Sequence, residues 1–482
     1  MKSKKTLSAK VIGLLLGPIL FTLVISLAPD DLLSPDAWRV IAIASWMIAW
    51  WITEAAPIPV TALLPMVLFP LNGIFTMNEV TAPYAHPIIF LFMGGFLLGL
   101  GMERHNLHKR IALNLIKLTG TNPNGIILGF MLTTAFISMW ISNTATTVMM
   151  LPIALSITNL LNIGQSQDKG SRRFALALMI GIAYAANIGG TATIIGTPPN
   201  VAWVGFMKDI AGTEISFSKY LLVGLPICAL MLFIAYMLLT RVLYPSKVDN
   251  LAQSEAVIDE QLKELGAFSK AERLVAIIFT FTALAWILRG NLNSWFNTTL
   301  LNDTLIAMTG GILMFITPLN IRESKFLMEW ETTQRLPWGI LLLFGGGMAL
   351  ARAMEKVNIV QTVGDAIAGS GGANTLLLIM GLCAFMLFMT EVMSNIALTV
   401  IFIPVVLGIA LSADINPVYL SLPVTLAASY AFMMPISTPP NAIVFSSGMI
   451  RIKDMMRAGF LLNLIAILLM VLLSQTLIPW VY

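Results

Sequence analysis

Two near-identical polar interruptions, each buried in an apolar run, constrain this chain more than any other feature. Ile141-Ser142-Asn143-Thr144-Ala145-Thr146 returns 252 positions later as Met393-Ser394-Asn395-Ile396-Ala397-Leu398. The flanks repeat at the same offset: Pro152 as Pro404, Thr147 as Thr399, Met102-Glu103 as Met354-Glu355 and Asn106 as Asn358. A second pair follows at an offset of 241, Thr197-Pro198-Pro199-Asn200 and Thr438-Pro439-Pro440-Asn441. Polar, helix-breaking residues placed symmetrically in two hydrophobic halves mark a binding site built between related repeats.

Composition decides which solvent surrounds those runs. Of 482 residues, 57% are hydrophobic and 11% charged, and the mean hydropathy is +0.86. That is too apolar for a soluble domain of this length, so the partner is a lipid bilayer. A net charge of +4 does not imply nucleic acid, because the basic residues fall in short loops on one side. Cys228 and Cys383 lie inside apolar runs and show no pairing pattern. The three histidines, His86, His105 and His108, form no Cys/His cluster for a metal. The basic start followed by an apolar core resembles a signal peptide, but no small-x-small cleavage site follows. It reads as a first membrane helix with a cytoplasmic N-terminus.

Spans of about 17–25 apolar residues cross a bilayer. The pattern predicts 11 helices, near 11–28, 37–55, 57–74, 86–118, 171–209, 219–243, 271–290, 302–318, 337–368, 416–450 and 456–481. The stretches 124–160 and 372–411 carry the Ser-Asn motifs and read as re-entrant hairpins, since polar backbone at membrane depth must be enclosed by protein or line a cavity. With this topology 22 of the 28 Lys and Arg residues fall on the cytoplasmic side, the bias expected of inner loops. Five helices and one hairpin per half require the halves to be inverted. Segment 244–270, mixed in charge, is expected to connect them, partly as an interfacial helix.

At each hairpin tip the chain breaks and restarts as a helix. Ser142/Asn143 and Ser394/Asn395 suit the N-cap of the restart. The free N–H groups and positive dipole end there match a carboxylate, and the side-chain oxygens suit a small hard cation. Each Pro-Pro pair removes two donors and forces helices 171–209 and 416–450 to unwind. Thr197 and Thr438 are expected to cap the second half-helices, and carbonyls freed upstream can ligate a cation. A plain turn or proline kink would explain one copy, but hardly two in register. Gly94-Gly95 and Gly345-Gly346-Gly347 repeat as well and suit close helix packing. Intramembrane acids can relay protons, but Glu54 begins a proline-rich turn and Glu391 reads as a cap on its hairpin.

These motifs, with 51–74 (WWITEAAPIPVTALLPMVLFPLNGI) and 428–444 (ASYAFMMPISTPPNAIV), resemble the divalent anion/sodium symporter family of sodium-coupled dicarboxylate and citrate transporters, across essentially the whole chain. The resemblance implies an all-α membrane protein, a homodimer, in which a mobile transport domain moves against a scaffold like an elevator. Scaffold parts would be 11–118 and 271–368, transport parts 119–243 and 369–482, and 244–270 the connector. The resemblance implies a first sodium site at Ser138, Ser142, Asn143 and the backbone of Gly196, and a second at Thr390, Asn395 and backbone oxygens near Met393 and Ser437. It implies substrate contacts at Ser142, Asn143, Thr144, Thr197, Ser394, Asn395 and Thr438, with Ile396 and Pro439 beside them. Ile396 stands where the family commonly has threonine.

The expected function is sodium symport of C4 dicarboxylates such as succinate, malate or fumarate across the plasma membrane. No Lys or Arg lies in the apolar runs beside the motifs to neutralise a dianion, which favours bound sodium ions. The rival is a sodium-independent dicarboxylate exchanger. An enzyme would need a nucleophile–base pair or metal constellation, and a proton-coupled antiporter would need midplane acids; the motifs hold neither.

Overall fold

The computed structural model describes residues 9–29, 33–120, 122–160, 169–246, 252–368 and 374–482. Lys2, Lys4 and Lys5 of the basic start, 247–251 of the connector and the first two residues of the 372–411 stretch lie outside them. The described residues are mostly helical, and their strands form one short hairpin, Pro318–Asn320 paired antiparallel with Lys325–Phe326.

Each half repeats one succession of elements. The first runs through Pro87–Arg104, Leu107–Leu118, the pair Pro123–Ser138 and Asn143–Leu160, then Lys169–Gly190 and Pro198–Asp209. The second runs through Trp338–Lys356, Ile359–Ala368, Thr375–Met389 with Asn395–Ser412, then Pro417–Ala428 and Pro439–Phe445. Among the described residues, six helices are long and apolar enough to cross a membrane: Met77–Arg104, Lys169–Gly190, Phe217–Leu243, Lys270–Trp295, Asn395–Ser412 and Ile452–Val481. Lys10–Ser26, Ile58–Leu71, Pro123–Ser138, Asp303–Ile316, Thr375–Met389 and Pro417–Ala428 are shorter apolar helices.

Three expected spans are divided. The 86–118 span breaks at Asn106 (φ 56°) and the 337–368 span at Asn358 (φ 59°), where asparagine tolerates a left-handed turn. Leu107, Ala112, Leu113 and Ile116 face inward after the first break, while Asn114 and Lys117 are exposed. The hydrophobic run had hidden this amphipathic change of direction. The 57–74 span divides into Ile58–Thr61 and Leu64–Leu71, because Pro65 restarts the helix and cannot continue one. The 244–270 connector contains one helix, Ala252–Glu264, held to the first half by a 2.7 Å Lys117–Asp259 ion pair.

The helix Lys169–Gly190 is the centre of the core. Every residue from Phe174 to Gly190 is buried, as expected of a helix apolar on all sides. The repeated glycines do pack helices closely. A Cβ on Gly94 would stand 2.6 Å from the Ala307 carbonyl carbon, and one on Gly346 would collide with the Ala62 carbonyl.

Single cysteines at Glu264, Glu323 and Asn291, in a background lacking Cys228 and Cys383, test the charge-derived sidedness. Membrane-impermeant maleimide is expected to reach positions 264 and 323 only from the cytoplasm and 291 only from outside. Labelling of all three from one side would contradict it.

Candidate functional site

The two Ser-Asn breaks and the two Pro-Pro breaks face one cavity of about 720 Å³. Ser142, Asn143, Thr144, Gly196 and Thr197 from the first half line it with Met393, Ser394, Asn395, Ile396, Ser437, Thr438 and Pro439 from the second. Ser138 and Thr390 sit just behind this lining, fully buried.

At the first break the Ser138 hydroxyl lies 2.7 Å from Asn143 Oδ1 and 2.8 Å from the Ala186 carbonyl oxygen. At the second, the Thr390 hydroxyl lies 2.7 Å from Asn395 Oδ1 and 2.8 Å from the Ala428 carbonyl oxygen. A hydroxyl has one proton, so it can satisfy only one of its two oxygen neighbours. Three oxygens thus converge at each break with one proton among them. A small hard cation resolves that conflict, since such ions take oxygen ligands. Ala428 ends its helix, where carbonyls lack intrahelical partners and the dipole end is negative, and Ala186 lies four residues before the end of its own.

The first cluster leaves no room for a side chain. A Cβ on Gly190 would stand 2.6 Å from Asn143 Oδ1 and 3.1 Å from the Gly196 carbonyl oxygen. The equivalent residues in the second half are Ala431 and Ser437, so that cluster is built more loosely.

The restarting helices supply donors. Ser142 Oγ accepts from Ala145 N–H at 3.2 Å, leaving the Asn143 and Thr144 N–H groups without intrahelical partners. Ser394 occupies the N-cap of Asn395–Ser412 but makes no side-chain cap bond. Thr438 caps Pro439–Phe445 by accepting from Asn441 N–H at 3.4 Å. Thr197, expected to cap in the same way, makes no such bond; its side chain remains available to the cavity. Among the described residues no hydrogen bond engages the Nδ2 of Asn143 or Asn395.

Several structural residues escaped the sequence reading. Asn200 Nδ2 donates to the Gly190 and Thr193 carbonyls at 3.3 and 2.8 Å. Asn441 Nδ2 donates to Ala431 and Met434, both at 3.0 Å. Each asparagine ending the Thr-Pro-Pro-Asn motif therefore ties up carbonyls that its own break frees. Asn187 crosses between halves, donating to Thr438 Oγ1 at 3.1 Å and Ala431 O at 3.3 Å. It has no counterpart among the repeated motifs, and no sequence signal singled it out. Ser437, expected to help hold a cation, donates its hydroxyl to Met434 O at 2.6 Å.

Glu391 does not cap its own hairpin. Its carboxylate accepts from the N–H groups of Phe432, Met433 and Met434 at 2.8, 2.8 and 3.0 Å, and from Asn463 Nδ2 at 2.9 Å. Four donors thus converge on one buried carboxylate. It clamps the unwound turn of the second broken helix to the helix Ile452–Gln475.

A cavity between two repeated helical halves, lined by helix breaks, is the architecture of a membrane transporter. The chain belongs to the family described as sodium:sulfate symporter transmembrane region, whose family model matches residues 9–482. It is 39% identical over 475 residues to the sodium-dependent dicarboxylate transporter SdcS of Staphylococcus saprophyticus, covering 98% of this chain and 92% of that protein. It is likewise 39% identical over 488 residues to SdcS of Staphylococcus aureus strain USA300, covering 99% and 93%. The transporter YdaH of Alcanivorax borkumensis shares the fold, with a TM-score of 0.56 at 12% identity over 98% of this chain and 99% of that one. So does MtrF of Neisseria gonorrhoeae, with 0.55 at 11% identity over 98% and 95%. The chain is a transporter, not an enzyme.

Gly190→Ala is expected to push Asn143 Oδ1 out of its cluster and lower transport at least about tenfold, a loss of ~1.4 kcal/mol. Ala431→Gly, at the looser cluster, is expected to leave transport within about twofold, or ~0.4 kcal/mol. Equal effects of the two in a reconstituted uptake assay would contradict this difference.

Proposed function

We propose that the chain is a sodium symporter for C4 dicarboxylates such as succinate, malate and fumarate. The observation that carries the reading is the paired oxygen clusters, Ser138–Asn143–Ala186 and Thr390–Asn395–Ala428, backing onto one cavity. Each asparagine offers Oδ1 to the cation side and Nδ2 to the cavity, so ion and anion share one side chain. A bound cation holds the amide in the orientation that presents Nδ2 to a carboxylate. Without it, the amide turned over would donate Nδ2 to the hydroxyl and satisfy the cluster alone. That is a direct route to coupling.

Two separate donor sets, at Asn143-Thr144 and Asn395-Ile396, suit an anion with two separated carboxylates better than a single tetrahedral sulfate. The dicarboxylate specificity named for both SdcS relatives supports the same choice. The 18-residue helices Asn143–Leu160 and Asn395–Ser412 carry a useful dipole to their N-termini. With no basic side chain at either break, the dianion depends on the cations for charge compensation. This favours symport over the sodium-independent exchange of dicarboxylates.

In this reading, the pairs Pro123–Ser138/Asn143–Leu160 and Thr375–Met389/Asn395–Ser412 are re-entrant hairpins, inverted relative to each other among 11 crossings of the plasma membrane. Together with the broken helices they form the moving part, while the regions 11–118 and 271–368 form the scaffold of a homodimeric elevator. The N-terminus lies in the cytoplasm, as the Lys/Arg bias supports.

Proteoliposome uptake of radiolabelled succinate tests the function. An inward sodium gradient is expected to drive accumulation and an equal potassium gradient not to. Asn143→Ala and Asn395→Ala are each expected to abolish it in protein that remains folded by gel filtration, since each loses a ligand to ion and anion together. Accumulation without sodium, or driven only by trapped dicarboxylate, would support the exchanger instead.

A further inference from the structure

The cavity that holds both Ser-Asn breaks also reaches three charged side chains remote from them, Glu54, Glu103 and Arg335. Arg335 is the one Lys or Arg among the lining residues. It ends the tight turn Trp330–Arg335, and its Nη2 donates to Glu103 Oε2 at 2.5 Å. The turn beneath it is braced: Arg104 donates to Thr332 Oγ1 at 2.6 Å and to Glu329 at 3.0 Å, and Trp338 Nε1 donates to the Thr333 carbonyl at 3.0 Å. Arg335 itself is 59% exposed, whereas Glu103 is 12% exposed. The guanidinium is thus held at the rim with most of its five donors facing open space, and one carboxylate already occupies it.

We propose that Arg335 is the anion-recruiting residue of the cavity and that Glu103 competes with substrate for it. This rests on the dicarboxylate reading given above. A guanidinium binds carboxylates through paired N–H donors, and an incoming dicarboxylate presents the same group as Glu103. Exchange of one carboxylate for another on Arg335 therefore changes little in energy, so the contact can open and close. Without Arg335 the charged lining is two acids, which would repel a dianion from the mouth. A fixed positive charge there raises the local anion concentration and the association rate. Glu103 limits retention, so the substrate passes on towards the breaks rather than resting at the rim.

The two partners therefore act with opposite sign. Stopped-flow association of succinate with the purified full-length protein in sodium is the test. Arg335→Gln is expected to slow association about three- to tenfold and Glu103→Gln to accelerate it about two- to threefold. Arg335→Lys, which retains the charge, is expected to recover most of the loss. Both differences should shrink as choline chloride is raised from about 0.05 to about 0.5 M. If Arg335–Glu103 is only a structural ion pair, both glutamine variants will shift in the same direction or not at all, and the proposal falls. Absence of succinate binding by the unmodified protein would overturn the dicarboxylate reading and this proposal together. Binding at rates unaltered in either variant would overturn this one alone.

Discussion

At each Ser-Asn break one hydroxyl proton faces two oxygens, and the rest of the architecture follows from where the chain can permit that. A broken helix in an apolar interior frees backbone groups that lipid cannot satisfy. Several of them find fixed partners within the protein. Asn200 and Asn441 take carbonyls of their own unwound turns, and Glu391 takes three successive N–H groups. Ser138 and Thr390 each place one hydroxyl against two oxygens, an asparagine Oδ1 and a backbone carbonyl. Both lie directly behind the shared cavity.

The two halves are copies in plan but not in detail. The first break carries Thr144 and Thr146 where the second has Ile396 and Leu398, and Gly190 and Gly196 where the second has Ala431 and Ser437. Glu391 is matched by Met139, whose carbonyl accepts from Thr193 Oγ1 at 2.6 Å. The first half thus joins its break to its unwound turn by a neutral hydrogen bond, the second by a fourfold-satisfied carboxylate. The looser glycine-free cluster of the second half has the stiffer external clamp. Asn187, reaching from the first half into the second half's turn, ties the two together where they meet.

The repeat offsets made much of this legible. An offset of 252 pairs Asn143 with Asn395, and an offset of 241 pairs the two Thr-Pro-Pro-Asn breaks, so the breaks around the cavity could be named from sequence, while Ser138 and Thr390 came from the family resemblance. The contributions of Ala186 and Ala428 could not, because they act through carbonyl oxygens that any residue type supplies. Asn187 and Glu391 were obscure for another reason: neither is repeated, and each acts on a segment distant in sequence. The breaks at Asn106 and Asn358 were visible as a repeated pair, yet the apolar residues continue past both and conceal the turn. Arg335 read as a loop cation, since only the folded chain brings its turn to the cavity of the Ser-Asn motifs.

The central claim is that each cluster holds a coupling cation whose binding strengthens that of the anion. Calorimetric titration of succinate into the purified protein, repeated across sodium concentrations with choline as replacement, tests it most directly. Linkage requires each cation to strengthen substrate binding by the factor with which substrate strengthens its own. In the range below saturation, the logarithm of the succinate association constant is expected to rise with the logarithm of sodium concentration at a slope near two, as the paired clusters require. A slope of zero, with succinate bound equally well in choline, would contradict the account.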